Sequence, residues 1–292
     1  MMNNPMNENF TTVLPENIAK GLAQALDQLP GGKTAKLEKP NVEGAFNHIL
    51  LITTEEDRYV FRARRESSLE EIEAYMRYMY EATSFLEAGG IFKLRNIAEE
   101  IDFLKSALAV GLPVPKLIHA DTDWMLIEYI EGRTFHEFVK AGEVEILLKI
   151  LKELNLAHRQ GIIYGDRWGD NEIIDSQGNV RMIDFDIEWS YEGVSNGIVE
   201  ALEMAVPIFH SLRLTSTRND LLKTVQNDAL PLLKSGGYKI DIIGKFIEGF
   251  CNFYLDPNKP SNVWSLPPEL YVSMTEPANR LIAMFAEADK RY

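Results

Sequence analysis

The loop at 164–171 and the segment at 184–186 contain the side chains with the clearest chemical potential. Asp166 is followed five positions later by Asn171, and Asp184 comes after the next strand-like run. Transfer of a phosphoryl group to a hydroxyl needs a carboxylate that orients the nucleophile and accepts its proton. It also needs oxygen ligands for Mg²⁺, a hard cation that contacts the phosphates. Asp166 suits the first requirement, and Asn171 and Asp184 suit the second.

A simpler interpretation of this loop is turn formation. Gly165 precedes Asp166, and glycine with aspartate is common in tight turns that have no catalytic role. The order of the three oxygen-bearing residues, after a predicted helix and around a short hairpin, favours the chemical interpretation. Asp186, two positions after Asp184, is either a second carboxylate near the metal or an acceptor within a turn.

A basic strand upstream supplies a cation for nucleotide phosphates. Side chains in a strand alternate between faces, so Val60, Arg62 and Arg64 share one face of the run 58–64. Val60 would pack against an adenine ring, and the arginine would reach the phosphates. Arg62 is the predicted phosphate ligand and Arg64 its substitute. The alternative is an edge strand that carries charges only to prevent pairing with other chains.

Hydrophobic periodicity predicts the elements that must position these residues. The front part reads as strands with two helices between them, and the back part as helices with one short hairpin. This order predicts an α+β fold of two lobes: a β-rich lobe at 1–130 with a helical insertion at 67–95, and a mostly helical lobe at 131–292. The predicted strands are 45–53, 58–64, 116–119, 124–129, 172–174 and 180–183, and the main predicted helices are 15–29, 67–86, 96–110, 135–141 and 144–159.

The loop and the metal segment resemble those of the aminoglycoside phosphotransferase and choline kinase superfamily, relatives of the protein kinases. In that family the loop reads His-Gly-Asp-x4-Asn and the metal motif Asp-Phe-Gly/Asp/Glu, whereas Tyr164 stands here in place of the histidine. The resemblance covers about residues 40–190 and implies a two-lobed, protein kinase-like fold that uses ATP and Mg²⁺. It makes Asp166 the catalytic aspartate, and Asn171 and Asp184 the magnesium ligands.

The same resemblance assigns nucleotide contacts in the front part. Residues 43–48 are similar to the family's Gly-Gly-x-Ser-Asn turn over the phosphates, with one glycine instead of two, and residues 124–132 are similar to its adenine-binding hinge. Glu100 matches the family's Glu-x3-Leu pattern and is predicted to pair with Arg62; Glu99 is the alternative. The remaining predicted nucleotide contacts are Gly44, Phe46, Asn47, Glu128, Tyr129 and Ile130.

Composition restricts the partners and the location. The chain has 44 acidic and 30 basic residues, a net charge of −14, which argues against a nucleic-acid binder and is compatible with a cationic acceptor. The single cysteine, Cys251, excludes an intrachain disulfide. Residues 1–9 lack a signal-peptide pattern, and no apolar run approaches the roughly 20 residues of a spanning helix. We therefore expect a cytoplasmic protein with no membrane partner.

The acceptor is the least specified part of the reaction. The family phosphorylates aminoglycosides, choline and other small alcohols, so the resemblance implies transfer to a small-molecule hydroxyl. Trp189, Trp264 and Tyr271, with Glu188 nearby, would suit an amine-bearing acceptor, although core packing is the alternative for each aromatic. Two other functions stay open: a kinase that acts on a protein or on lipopolysaccharide core, and a non-catalytic pseudokinase, towards which Tyr164 points.

Overall fold

The computed structural model describes residues 14–40, 46–167, 170–192, 197–256 and 268–290, without the side chains of 268–272. The chain forms two compact units. The first unit comprises Met1–Ser68 and Arg95–Glu131, and the second comprises Leu69–Leu94 and Gly132–Tyr292.

Strands dominate the first unit and helices the second. In chain order the elements are α1 (Glu16–Asp27), β1 (Lys36–Glu38), β2 (Asn47–Thr53), β3 (Arg58–Arg64), α2 (Leu69–Thr83), β4 (Gly90–Leu94), α3 (Ile97–Ala109), β5 (Leu117–Ala120), β6 (Trp124–Glu128), β7 (Gly132–Thr134), α4 (Phe135–Lys140), α5 (Ile146–Arg159), β8 (Glu172–Asp175), β9 (Val180–Met182), β10 (Ile187–Tyr191), α6 (Gly197–Leu214), α7 (Arg218–Thr224), α8 (Leu230–Ser235), α9 (Ile240–Tyr254) and α10 (Pro268–Asp289).

The first unit is built on a five-stranded antiparallel sheet in the order β1-β2-β3-β6-β5. Side chains alternate between the two faces of β3, so Phe61 and Ala63 lie on one face. They belong to a buried cluster with residues of α1 and β6. The rings of Phe61 and Trp124 stack with centroids 5.7 Å apart. Gly21 of α1 lies so close that a Cβ there would stand 2.6 Å from the Trp124 ring. This close approach fixes α1 on the sheet.

Helix α3 begins with a capping box. The Asn96 side chain accepts a hydrogen bond from the Glu99 N–H, and the Glu99 carboxylate accepts one from the Asn96 N–H, both at 2.9 Å. The two bonds satisfy backbone donors that a helix start leaves without intrahelical partners. This cap fixes the register of the first turn and therefore the position of Glu100.

The second unit contains two small sheets, β7-β8-β9 and β10-β4, and most of the helices. Helix α6 is buried along nearly its whole length from Val199 to Leu212, which identifies it as the central helix of this unit. Helix α2 packs against α9, where the hydroxyls of Tyr78 and Tyr254 lie 2.5 Å apart. In the described part of the chain, none of the helices combines the length and apolar character that crossing a membrane requires.

The segment Leu69–Leu94 groups with the second unit, whereas the sequence suggests an insertion at 67–95 within the first lobe. Strand β4 explains the difference, because it pairs with β10 from Gly90↔Tyr191 to Ile187↔Leu94. A Cβ at Gly90 would lie 2.2 Å from the Phe85 ring, so only glycine fits at the start of this strand. The local pattern predicts neither β4 nor β10, since each is completed by a partner remote in sequence.

Candidate active site

The loop that carries Asp166 leaves α5 and runs against β10. Gly165 adopts a φ of +92°, and a Cβ there would lie 2.1 Å from the Ile187 carbonyl oxygen, so glycine is required. The Asp166 N–H donates to the same carbonyl at 3.3 Å. The Asp166 side chain is buried at the end of this turn, in a position defined by backbone contacts.

Asn171 and Asp184 lie on segments that contact one another. The Asn171 amide nitrogen donates to the Asp166 carbonyl at 2.9 Å, and the Ile183 N–H donates to the Asn171 carbonyl at 2.9 Å. Asp184 has a φ of +60°, a left-handed conformation that costs about 1–2 kcal/mol in a non-glycine residue. The fold therefore holds Asp184 in a conformation that an isolated loop would avoid.

Arg167 joins these segments. Its guanidinium donates to the carbonyls of Asn171 at 3.1 Å, Ile183 at 3.0 Å and Asp184 at 2.7 Å. The side chain is fully buried. Sequence reasoning missed this residue, although a basic side chain directly after the predicted catalytic Asp166 was an available signal. One side chain thus fixes the loop of Asp166 relative to the predicted metal carboxylate.

The surroundings of Arg167 balance its buried charge. The Glu172 carboxylate lies 3.5 Å away, and burial raises the pKa of Glu172 to about 8 although the positive charge of Arg167 acts in the opposite direction. The guanidinium also lies 5.7 Å from the ring centre of Tyr164 and 5.5 Å from that of Phe185. Hydrogen bonds, a carboxyl group and two aromatic faces therefore surround the cation.

Tyr164, at the position of the family's histidine, is a fully buried supporting residue. Its ring packs on Phe185 with centroids 5.9 Å apart, and its hydroxyl donates to Glu153 at 3.2 Å. Burial, followed by the charge of Glu153, raises the pKa of Tyr164 well above the usual tyrosine value. The phenol therefore stays neutral and places an aromatic face beneath both loops.

Glu203 of α6 supports the loop from the other side. Its carboxylate accepts hydrogen bonds from the Gly165 N–H at 2.5 Å and from His158 Nε2 at 2.6 Å. His158 Nδ1 in turn lies 2.8 Å from the Tyr238 hydroxyl. Sequence reasoning missed Glu203, because this residue is 38 positions from Gly165 and belongs to no local motif.

Tyr75 of α2 reaches the predicted base. Its hydroxyl lies 3.4 Å from Asp166 Oδ2. Burial, and then the negative charges of Asp166, Asp186 and Asp184, raise the pKa of Tyr75 far above its ordinary value. The phenol of Tyr75 is therefore a neutral donor beside three carboxylates, in a helix to which the sequence assigned no chemical function.

The donor atoms at this site fit magnesium. The described residues include no cluster of three or more histidine, cysteine, aspartate or glutamate side chains able to hold a metal by themselves. Magnesium usually needs only one or two protein carboxylates, because phosphates and water complete its shell. The Asp184 carboxylate and the Asn171 amide oxygen are hard oxygen donors on segments that Arg167 joins. Both remain the predicted ligands.

In the first unit, Glu100 pairs with both candidate arginines. Glu100 Oε2 lies 3.2 Å from Arg62 Nε, and Glu100 Oε1 lies 2.5 Å from Arg64 Nη2, which also donates to the Arg95 carbonyl. The predicted contact between Glu100 and Arg62 is present, while Glu99, the alternative, serves the capping box. Arg62 and Arg64 also share one face of β3, as its alternation predicts.

The other predicted nucleotide contacts lie at the ends of strands. Phe46 and Asn47 are buried at the start of β2, and Gly44 lies outside the described residues. The Glu128 N–H donates to the Lys116 carbonyl, and the Tyr129 N–H donates to the Arg58 carbonyl. These two backbone N–H groups thus donate their hydrogen bonds within the first unit. Ile130 follows them and is buried. Adenine binding through Glu128, Tyr129 and Ile130 stays a prediction.

The aromatic residues considered for the acceptor divide into two groups. Trp189 is buried, with its ring centre 5.6 Å from that of Phe92 and 6.5 Å from that of Phe85. It is therefore part of the core of the second unit. Trp264 and the side chain of Tyr271 lie outside the described residues.

The known proteins to which this chain is similar in sequence are kinases. No family model matches the chain. A probable serine/threonine-protein kinase from Clostridium perfringens is 29% identical over 105 residues, covering 31% of this chain and 15% of the relative. The probable serine/threonine-protein kinase PknB from Bifidobacterium longum is 31% identical over 139 residues, covering 45% and 17%. The chain therefore spans less than a fifth of the length of these curated relatives.

The described elements agree with these matches. A sheet arginine pairs with a helix carboxylate in the first unit, and the second unit is mostly helical and carries the loop of Asp166. The chain has a protein kinase-like α+β fold. The expected fold class is thereby confirmed, and the narrower family stays a prediction.

Among solved structures, the Rio2 kinase–ADP/Mg²⁺–phosphoaspartate complex from Chaetomium thermophilum matches with a TM-score of 0.40 and 13% identity, over 94% of this chain and 75% of that one.

Proposed function

We propose that this protein is an ATP- and Mg²⁺-dependent phosphotransferase that moves the γ-phosphoryl group to a hydroxyl. The observation that carries the proposal is the buried side chain of Arg167. It holds the loop of Asp166 and Asn171 against the backbone of Asp184. This contact keeps the proposed base and both proposed metal ligands on segments joined by one side chain, as positioning for phosphoryl transfer requires.

Each group has a defined part in the proposed reaction. Asp166 orients the acceptor hydroxyl and accepts its proton as the oxygen bonds to the γ-phosphorus. The bond from that phosphorus to the β–γ bridging oxygen breaks, and ADP leaves. Asn171 and Asp184 would hold Mg²⁺, which neutralises charge on the phosphates when bound. In the first unit, Glu100 orients Arg62, the proposed phosphate ligand.

For the acceptor we favour a small molecule of the aminoglycoside, choline or sugar-alcohol type. The resemblance of the loop supports this choice. Strand β10 also begins directly after Asp186, and α6 begins at Gly197, so little chain separates the metal segment from the central helix. The acidic composition is compatible with an acceptor that carries an amine.

A hydroxyl on a protein is the second candidate acceptor. The names of the relatives favour it, since the matches given above are serine/threonine-protein kinases. Both candidates require the same donor chemistry and the same base, Asp166. They differ only in the molecule that brings the hydroxyl.

Binding and turnover test the donor half of the proposal. Saturating Mg-ATP should stabilise the protein against thermal unfolding by about 2.7 kcal/mol at 100 times the dissociation constant. ADP release with acceptor pools should be strong in the wild type and lost in Asp166→Asn. Equal ADP release by both proteins would exclude Asp166 as the base. Stabilisation without any transfer would instead support the pseudokinase.

The acceptor is identified in the same assay with labelled ATP. One pool contains amino alcohols, sugars and aminoglycosides, and a second contains unstructured protein substrates rich in serine, threonine and tyrosine. We expect label in the small-molecule fraction. Label in protein only would replace the first candidate acceptor by the second.

A further inference from the structure

The hydroxyl of Tyr75 stands where an acceptor hydroxyl would stand. It lies 3.4 Å from Asp166 Oδ2, the carboxylate that we propose as the base. A base must lie within hydrogen-bond reach of the hydroxyl that it orients, about 2.6–3.2 Å in a reactive complex. Tyr75 Oη thus contacts the carboxylate oxygen of Asp166 to which an alcohol or a water molecule would donate its hydrogen bond.

Helix α2 holds Tyr75 in this place by contacts in the turn that follows it. The hydroxyl of Tyr78 lies 2.5 Å from that of Tyr254, and Met79 is fully buried. The Tyr80 hydroxyl accepts a hydrogen bond from the Phe92 N–H at 2.9 Å. Helix α2 is therefore packed within the unit that contains Asp166, and the ring of Tyr75 forms part of the lining of the site.

The contact is suited to displacement. A separation of 3.4 Å is at the long end for a hydrogen bond between oxygen atoms, so the bond is weak. A bound acceptor can replace it because its other contacts contribute binding free energy. A water molecule has no such additional contacts. The phenol would therefore yield to a specific acceptor and resist water.

We propose that Tyr75 is a specificity-determining residue that occupies the acceptor position at Asp166 and excludes water from the base. This inference rests on the proposed phosphotransferase function. Transfer of the γ-phosphoryl group to water yields ADP and free phosphate, and no acceptor is phosphorylated. The position of Tyr75 suppresses that reaction. An acceptor hydroxyl must displace Tyr75 Oη from Asp166 Oδ2.

The test is ATP hydrolysis in the absence of any acceptor, measured as phosphate release with Mg-ATP. Tyr75→Ala removes the ring and should raise the rate several-fold above the wild type. Tyr75→Phe removes only the hydroxyl and should give a smaller rise. Glu73→Ala, at an exposed position of the same helix, is the control and should leave the rate unchanged. The double variant Tyr75→Ala/Asp166→Asn should lose the gain, because the activated water depends on the base.

A gain in hydrolysis cannot arise from mere loss of stability, so it supports the assignment directly. Unchanged or lower hydrolysis in Tyr75→Phe and in any folded Tyr75→Ala, while Mg-ATP still stabilises the protein, would overturn the role of Tyr75 alone. Failure of Mg-ATP to stabilise the wild type would overturn the proposed function and this role together. If Tyr75→Ala does not fold, Tyr75→Phe decides the result.

Discussion

The guanidinium of Arg167 donates a hydrogen bond to the Asp184 carbonyl at 2.7 Å. The loop that carries the proposed base is thereby joined to the residue proposed as the main metal ligand. The same guanidinium contacts the Asn171 carbonyl, so the relative positions of the two predicted metal ligands depend on one side chain. The guanidinium is buried beside the rings of Tyr164 and Phe185, so the contact is insensitive to solvent and salt.

Replacement of Arg167 by methionine should therefore lower both stability and turnover. The change removes the hydrogen bonds that the guanidinium donates to the carbonyls of Asn171, Ile183 and Asp184, and a buried polar group that loses its partner costs about 1–3 kcal/mol. The control is Glu172→Gln, which keeps the size of a carboxyl group that burial holds largely protonated at neutral pH and should change stability and turnover much less. Urea unfolding and ADP release measure the two effects. Full turnover in a folded Arg167→Met variant would contradict a positioning role for Arg167.

Glu203→Gln should weaken the support of the loop that carries Asp166. The carboxylate accepts from the Gly165 N–H and lies 2.6 Å from His158 Nε2, and hydrogen bonds to a charged group contribute about 1.5–3 kcal/mol. We expect a loss of unfolding free energy in this range and a lower kcat with an unchanged KM for ATP. Glu200→Gln on the same helix is the matched control. An equal effect of the two changes would show that α6 charge, rather than the Gly165 contact, matters.

Arg62→Ala should weaken ATP binding more than Arg64→Ala. Both arginines contact Glu100, but the Arg62 side chain is only 6% exposed, compared with 21% for Arg64. Loss of a charge-assisted contact to phosphate corresponds to roughly a tenfold weaker Kd. Titration calorimetry with Mg-ATP measures the two constants. The reverse order would identify Arg64 as the phosphate ligand.

His210 should make stability fall on the acid side of neutrality. Its pKa is lowered well below the usual value, first by burial and then by the charges of Arg213 and His136. An unfolded histidine binds a proton near pH 6.5 while the buried one stays neutral, so the unfolded state binds more protons below that pH. The unfolding free energy should therefore decrease as the pH falls through about 6.5, by at most about 1.4 kcal/mol per pH unit.

Urea unfolding at pH 5 and pH 7 measures this slope. His210→Phe should reduce the difference in unfolding free energy between the two pH values, because phenylalanine cannot bind a proton and can pack against the rings of Phe209 and His136, which contact His210. His119→Gln, at the partly exposed β5, is the control and should keep the wild-type slope. A slope that persists unchanged in His210→Phe would assign it to another group.

Most regular elements were predictable because their signals are local. Strand β3 occupies Arg58–Arg64 as its alternation predicts, and α5 begins two residues after the predicted start and ends at Arg159 as predicted. The contact between Glu100 and Arg62 was also predictable, from the resemblance of short patterns. In contrast, β4 and β10 exist through pairing with each other across the sequence, which local periodicity does not reveal.

The sequence by itself determined the identities and order of Asp166, Asn171 and Asp184, since the chemistry of phosphoryl transfer selects side chains by type and spacing. The tertiary structure decided what holds and surrounds them: Arg167 across the two loops, Glu203 beneath Gly165, and Tyr75 against the base. These contacts join residues distant along the chain, and burial gives them their strength. No local pattern contains that information, because it arises only when separate elements pack together.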